Sequence, residues 1–165
     1  ALLPYSRMLF HGAAILWCGR AWIFTANSGT GKTTQYMLWK LCFGREVQIL
    51  NGDKPLLEFR EDSIVVHPSP WCGKEGLGSL DSAPLGGLIL LKQSGENRMR
   101  RLQPAEAAGP LLTQLLFTRR TVDDVRTACA LEDRLLHRTP VWLLENRGDT
   151  ASAALCRDTL MEELT

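Results

Sequence analysis

Residues 25–35, TANSGTGKTTQ, set a run of small residues directly ahead of Lys32, Thr33 and Thr34. Small side chains let successive backbone N–H groups turn inward around phosphate oxygens, and a helix that follows adds its positive end. In that geometry Asn27, Ser28, Gly29, Thr30 and Gly31 line the phosphates together with Thr34, Lys32 reaches the outer phosphates, and the Thr33 hydroxyl ligates Mg²⁺. The full pattern, GxxxxGK[ST], has glycine where this chain has Ala26. One added methyl matters only if that position needs positive φ. No side chain that would touch phosphate or metal is lost, so the stretch reads as a phosphate-binding loop carrying a tolerated variation. The alternative is a chance Gly-Lys-Thr in a turn before a helix. A loop of this kind also needs a carboxylate to organise its metal, usually at the end of another strand. Asp53, in VQILNGDKPLL at 47–57, stands just past an apolar run, although Asn-Gly and Asp also form ordinary turns unaided.

These residues work only if a strand, the loop and a helix come in that order. Ala13 to Cys18 and Ala21 to Thr25 are apolar and bulky, which predicts a strand hairpin turned at Gly19-Arg20. Lys32 to Cys42 lacks Gly and Pro, has Met37, Leu38 and Leu41 at helical spacing, and meets a stop at Gly44. Val47 to Leu50 reads as a buried strand, and Leu56 to Phe59 with Ile64 to His67 as a hairpin. Residues 68–87 are rich in Gly, Pro and Ser and predict a long loop, a length that favours function. Leu88 to Lys92 and Arg98 to Leu102 read as another strand pair, 104–117 and 121–138 as helices, Pro140 to Glu145 as a last strand, and Thr150 to Leu164 as a terminal helix. In the helix at 121–138, Val125, Ala128 and Leu131 form a core-packing stripe.

The chain has 165 residues, 45% of them hydrophobic, which predicts one domain over 1–165. Nineteen basic and eighteen acidic residues leave a net charge of +1, so no global field calls for nucleic acid or an anionic membrane. No apolar run is long enough to span a bilayer. Five cysteines at irregular spacing, without a CxxC pair, read as reduced thiols of a cytoplasmic protein and exclude a disulfide framework or structural zinc. The first residue is Ala1, consistent with upstream sequence having been trimmed.

Taken together, FHGAAILWCGRAWIFTANSGTGKTT at 10–34 resembles the opening of the catalytic domain of HPr kinase/phosphorylase, in which a His-Gly pair precedes a hairpin that feeds the loop. SGTGKTT is equally similar to the loop of ATP-dependent phosphoenolpyruvate carboxykinase, which shares that fold. The family's Asp-Asp pair falls on Gly52-Asp53, and a GLG followed by Asp on Gly76-Leu77-Gly78 and Asp81. The resemblance spans roughly 9–92 and looks closest to short HPr-kinase-like proteins found beside genes for modified peptides.

The resemblance implies an α/β fold of the P-loop, HPr-kinase/carboxykinase-like type, with a mixed sheet, flanking helices and a helical C-terminal tail. It implies an ATP- and Mg²⁺-dependent kinase acting on a hydroxyl, most plausibly a serine, of a small protein or peptide, and it permits a homo-oligomer. His11 matches the family histidine near the transferred phosphate, Lys32 and Thr33 the loop lysine and metal-binding hydroxyl, and Asp53 the second acid of the pair. Catalysis would thus rest on Asp53, His11 and Lys32, with the metal on Thr33 and Asp53. Gly52 departs from the pattern: with one acid gone, either Asp53 serves both roles, Glu75 or Asp81 substitutes, or transfer is slow. A nucleotide-binding scaffold without turnover, or a carboxykinase-like enzyme, are the competing readings.

Other residues have two readings each. His11, before an apolar strand, is either a hydrogen-bonded structural histidine or part of the site. Trp71 either covers core or walls a ligand, and Lys74 either meets phosphate or is solvated. Arg98, Arg100 and Arg101 either protect a sheet edge by charge or dock an acidic substrate. His67 and His137 carry no metal-ligand pattern, and Cys72 reads as a passive thiol.

Overall fold

The computed structural model describes residues 2–26, 31–71 and 81–165. After a 3-10 turn at Leu3–Tyr5, strands run at Arg7–Phe10 (β1), Ala13–Trp17 (β2), Arg20–Thr25 (β3), Gln48–Asn51 (β4), Leu56–Phe59 (β5), Ile64–His67 (β6), Ala83–Gln93 (β7), Arg98–Arg101 (β8), Leu115–Leu116 (β9) and Val141–Asn146 (β10). The helices are Lys32–Phe43 (α1), Pro104–Leu112 (α2), Val122–Arg138 (α3) and Thr150–Leu164 (α4). The sheet order is β4-β2-β3-β7-β6-β5-β1-β9, with β10 beside the later half of β7 and β8 beyond it. β3, β7 and β10 run parallel, and their neighbours pair antiparallel. The expected mixed sheet with flanking helices and a helical tail is what the chain forms.

Both faces of the central strands are buried, which is why they read as unbroken apolar runs rather than alternating ones. On one face Ile23, Leu88, Leu90 and Val141 pack with Leu111 of α2 and Ala128, Leu131 and Leu135 of α3. On the other, Trp22, Phe24, Ile89 and Trp142 pack with Tyr36 and Trp39 of α1 and Cys156 and Leu160 of α4. Trp39 sits edge-on to Trp17 at 5.2 Å and to Phe43 at 5.1 Å between ring centroids. Such pairs add to the burial of large aromatic surface.

Several expectations shift. The β2–β3 turn is Cys18-Gly19, both at positive φ (51° and 73°), the geometry that matches strand twist in two-residue hairpins. β7 starts at Ala83, inside the expected loop. β7 and β8 do not pair with each other, because β10 lies between them. The expected helix 104–117 stops at Leu112, and Leu115–Leu116 turns back to pair with Leu9 and Phe10 of β1, a strand the apolar pattern did not reveal. On α1 the packed residues are Lys32, Gln35, Tyr36 and Trp39, while Met37 and Leu41 are exposed. Val125 is exposed on α3, although Ala128 and Leu131 pack as expected.

Among the described residues no helix is long and apolar enough to cross a membrane. Cys18, Cys42, Cys129 and Cys156 are free thiols, and burial pushes the Cys156 thiol well above its usual range.

Candidate functional site

Gly31 has φ +92°, a conformation open to glycine and strained for other residues, and it delivers the chain into α1 at Lys32. Lys32 is 5% exposed, and its ammonium has no hydrogen-bond partner among the described residues. Desolvation holds its pKa below the usual lysine value, partly offset by attraction to Asp53. Thr33 and Thr34 follow on the exposed side of the first turn. Asn27, Ser28, Gly29 and Thr30 lie outside the described residues, as do Cys72, Lys74, Glu75 and 76–78.

His11 and Asp53 come together beside this helix start. His11 Nε2 is 3.6 Å from Asp53 Oδ1, and the backbones are tied by a 2.9 Å bond from Gly12 N–H to the Asp53 carbonyl. The Thr25 hydroxyl, at the end of β3, donates to the His11 carbonyl at 2.9 Å. The His-Gly pair therefore has a packing reason: a Cβ at Gly12 would stand 2.6 Å from Ile23 Cγ2 and 2.8 Å from the Phe24 carbonyl oxygen. Only glycine lets the β1–β2 connection lie this close to β3. Asp53 itself is presented by a turn in which Asn51 Oδ1 accepts from the Asp53 and Lys54 backbone N–H groups at 3.0 and 2.8 Å. Asn51 Nδ2 donates to the Ser69 carbonyl at 3.1 Å, and the Ser69 hydroxyl donates to the Lys54 carbonyl. The segments NGDKP and HPSPW are thus stapled to each other. Trp71, 52% exposed, accepts from Lys54 N–H through its carbonyl at 3.3 Å and leaves its ring at the surface beside the site turn.

Two residues that sequence reasoning missed complete this side. Lys54 Nζ pairs with Asp53 Oδ2 at 2.7 Å. Gln114, 4% exposed, takes the His11 backbone N–H on its carbonyl at 2.8 Å and lies 3.2 Å from His11 Nδ1 through Oε1. Its orientation is determined locally. The Thr113 hydroxyl donates to the Pro110 carbonyl at 2.8 Å, so it accepts from Gln114 Nε2 at 3.0 Å, which turns Oε1 to the ring. Neutral His11 then keeps its proton on Nδ1, which leaves Nε2 unprotonated. Burial is the largest cause holding the His11 pKa below its usual value, followed by the nearby Lys32 charge. No signal in the sequence pointed to Gln114, because it lay inside what read as a helix.

On the opposite flank, Gln35 of α1 is fully buried and donates to Asn146 Oδ1 at 3.1 Å and Ser152 Oγ at 2.8 Å. This ties the helix start to the end of β10 and to the first turn of α4.

The remaining candidates are used elsewhere. Arg98, Arg100 and Arg101 meet Glu96, Glu106 and Glu163 at 3.0, 3.2 and 2.7 Å on the edge strand. His67 Nδ1 lies 2.7 Å from Ser82 Oγ, and His137 Nδ1 2.7 Å from the Asp133 carbonyl oxygen. Asp81 is exposed shortly before β7. No cluster of three metal-ligating side chains occurs among the described residues. The oxygens on hand, one Asp53 carboxylate and the Thr33 hydroxyl, suit an ion that keeps waters and arrives with phosphate, as Mg²⁺ does, rather than a metal caged by protein alone.

No model of a known protein family matches the chain, and no curated protein matches it in sequence. Among solved structures, the HPr(Ser) kinase/phosphatase from Coxiella burnetii superposes with a TM-score of 0.53 over 95% of this chain and 99% of that one, at 11% identity. The fold is that of an HPr kinase/phosphatase. His11 and Asp53 face each other across the β1–β2 and β4–β5 connections, and Lys32 at the start of α1 interacts with both through its charge.

Proposed function

We propose that this chain is a Mg²⁺-dependent kinase that moves the γ-phosphate of ATP to a serine hydroxyl of a small protein or peptide. The observation that carries the reading is Lys32: a buried ammonium without a hydrogen-bond partner among the described residues, at a helix start and within the field of Asp53 and His11. Burying an unpaired charge is costly, and an anion delivered there would offset that cost. Phosphate is the anion that the glycine turn and helix end also favour.

In the proposed reaction the acceptor oxygen bonds to the γ-phosphorus while the bond from that phosphorus to the β,γ-bridging oxygen breaks, leaving ADP. The hydroxyl proton passes to the Asp53 carboxylate or to His11 Nε2, the lone-pair nitrogen that Gln114 leaves unprotonated. Lys32 neutralises charge on the outer phosphates, and Thr33 with Asp53 would hold Mg²⁺, which supplies further charge neutralisation when bound. Phosphoryl transfer depends mainly on positioning and charge, so one acid in place of two slows it rather than excluding it. Trp71, exposed beside Asp53, would contact the acceptor segment.

A second reading, ATP binding without turnover, is favoured by one observation: Gly52 removes the first acid, and Lys54 already occupies an oxygen of the second. Incubation with γ-labelled ATP, Mg²⁺ and a protein or peptide extract separates the two. The kinase reading expects labelled product that disappears in Lys32→Ala and Asp53→Asn. ATP binding without label in any acceptor supports the second reading.

A further inference from the structure

The pairing of β1 with β9 continues one residue past the strand: the His11 N–H bonds to the Gln114 carbonyl, so His11 stands opposite Gln114 as Leu9 stands opposite Leu116. Directly opposed residues share a face of a sheet, and so do residues two apart on one strand. The outer face here therefore carries three rows. His11 and Gln114 form the first, Leu116, Leu9 and Leu56 the second, and Arg7 with Glu58 the third. On the inner face Met8, Phe10, Leu57 and Leu115 belong to the core, whereas the three leucines of the middle row are half-buried and join neither core cluster. A cavity of about 320 Å³ lies at this row, lined by Leu2, Leu3, Arg7, Leu9, Leu116 and Phe117.

We propose that this face docks the acceptor, an extended peptide segment that sets its hydroxyl at His11, a bulky apolar side chain in the cavity and an acidic side chain against Arg7. The inference rests on the kinase reading above and adds to it the chemistry of the acceptor. A strand rises about 3.4 Å per residue, so the leucine row lies about 7 Å from His11 along β1 and the Arg7 row about 13 Å. An extended segment following β1 has the same spacing. Its apolar residue then falls two or three positions from the hydroxyl, and its acidic residue four or five.

Charge selects the acidic group. Arg7 Nε and Nη2 both meet Glu58 Oε2, at 2.8 and 2.6 Å, which leaves Arg7 Nη1 without a carboxylate among the described residues. Glu58 is shared with Arg60, so two guanidiniums surround one carboxylate and the row keeps a positive excess. Arg119 and Arg120 follow Thr118 of the cavity wall and meet no carboxylate within ion-pair distance among the described residues. An apolar pocket edged by arginines suits an anchor side chain with an acidic neighbour, the pocket supplying affinity and the charges orientation. Continuity with the site supplies the rest of the argument: His11, which faces Asp53, belongs to the same face as the leucines.

The test is a synthetic peptide library, with one fixed serine and randomised positions on both sides, phosphorylated with γ-labelled ATP and Mg²⁺ by the wild type, Thr118→Trp and Arg7→Gln. Circular dichroism confirms the fold, and calorimetry gives Mg-ATP affinity. Thr118→Trp fills the cavity from an exposed position, and Arg7→Gln removes the charge. The wild type is expected to select Leu, Phe or Trp two or three positions from the serine, and Asp or Glu four or five positions away on the same side. On the selected peptide Thr118→Trp should raise KM about tenfold, the scale of one buried apolar side chain, and erase the apolar selection. Arg7→Gln should erase the acidic selection and raise KM about threefold, the scale of one exposed ion pair. Mg-ATP affinity should stay within about twofold in both. Docking on this face is overturned, with the kinase reading intact, if the wild type labels the library without selection at these positions. Apolar selection that survives Thr118→Trp, or acidic selection that survives Arg7→Gln, overturns it in the same way. Absence of any labelled peptide from the wild type instead removes the kinase reading, and this inference with it.

Discussion

Replacing Lys32 by methionine keeps most of the side-chain volume and removes the charge, and it should make the ligand-free protein more stable while abolishing its response to nucleotide. Lys32 is 5% exposed and its ammonium has no hydrogen-bond partner among the described residues, so the folded state carries a desolvation cost only partly offset by Asp53. A buried unsatisfied polar or charged group of this kind costs about 1–3 kcal/mol. For a domain of this size each kcal/mol moves Tm by roughly 2–4 °C, so Lys32→Met should melt about 2–12 °C above the wild type without ligand. Adding Mg-ATP at about a hundred times its Kd should raise the wild type by about 2.7 kcal/mol, and the variant by nothing, so the gap between them closes or reverses. The pH dependence has a defined sign. Because the folded-state pKa is below the unfolded one, the cost is present at neutral pH. It is relieved as pH rises through the folded value, where the unfolded chain still binds the proton. Thermal unfolding of both proteins with and without Mg-ATP measures all of this. A ligand-free variant less stable by about 1 kcal/mol or more, or one still stabilised by ATP, would refute the argument.

Three further outcomes are expected. Glu58, bonded to Arg60 and Arg7, has its carboxyl lowered from 4.5 to about 2. It therefore contributes stability that is complete above the unfolded value and lost as pH falls toward 2. With both arginines about half exposed, Glu58→Gln should cost about 1 kcal/mol near neutrality, a difference that vanishes in acid denaturation curves near pH 2. Gln114→Glu puts a carboxylate on His11 Nδ1 and should raise the His11 pKa by about 1–2 units in an NMR titration; no upward movement would remove Gln114 as the group that sets the tautomer. Gly12→Ala should destabilise by about 1–3 kcal/mol in chemical denaturation, because the new methyl overlaps Ile23 and the Phe24 carbonyl.

The order strand, loop, helix around Lys32 was legible because glycines punctuate it and because strands buried on both faces read as apolar runs. The terminal helix was equally legible: Asp149, whose side chain accepts from Ser152 N–H, caps it, and its bounds fall at Thr150–Leu164 as expected. What local pattern could not reveal was long-range pairing. β1 and β9 are short, and Leu115–Leu116 becomes a strand only because β1 offers it an edge. Gln114 consequently looked like a helical residue when it is the partner of His11. α1 misled in another way: Met37 and Leu41 suggested the packed face, yet the helix packs through Tyr36 and Trp39 and commits Gln35 to Asn146 and Ser152. Polar residues that bond across the fold leave no hydrophobic periodicity to read. Asp53 was singled out as a carboxylate just past an apolar run and His11 through a resemblance, and the structure brings their side chains to 3.6 Å.

The most direct test of the central claim is transfer of label from γ-labelled ATP, in the presence of Mg²⁺, to a hydroxyl of a protein or peptide acceptor. Wild type should produce an alkali-labile, serine-type phosphorylated product, and Lys32→Ala and Asp53→Asn should not. Absence of any labelled acceptor, or labelling that survives Lys32→Ala, would contradict the account.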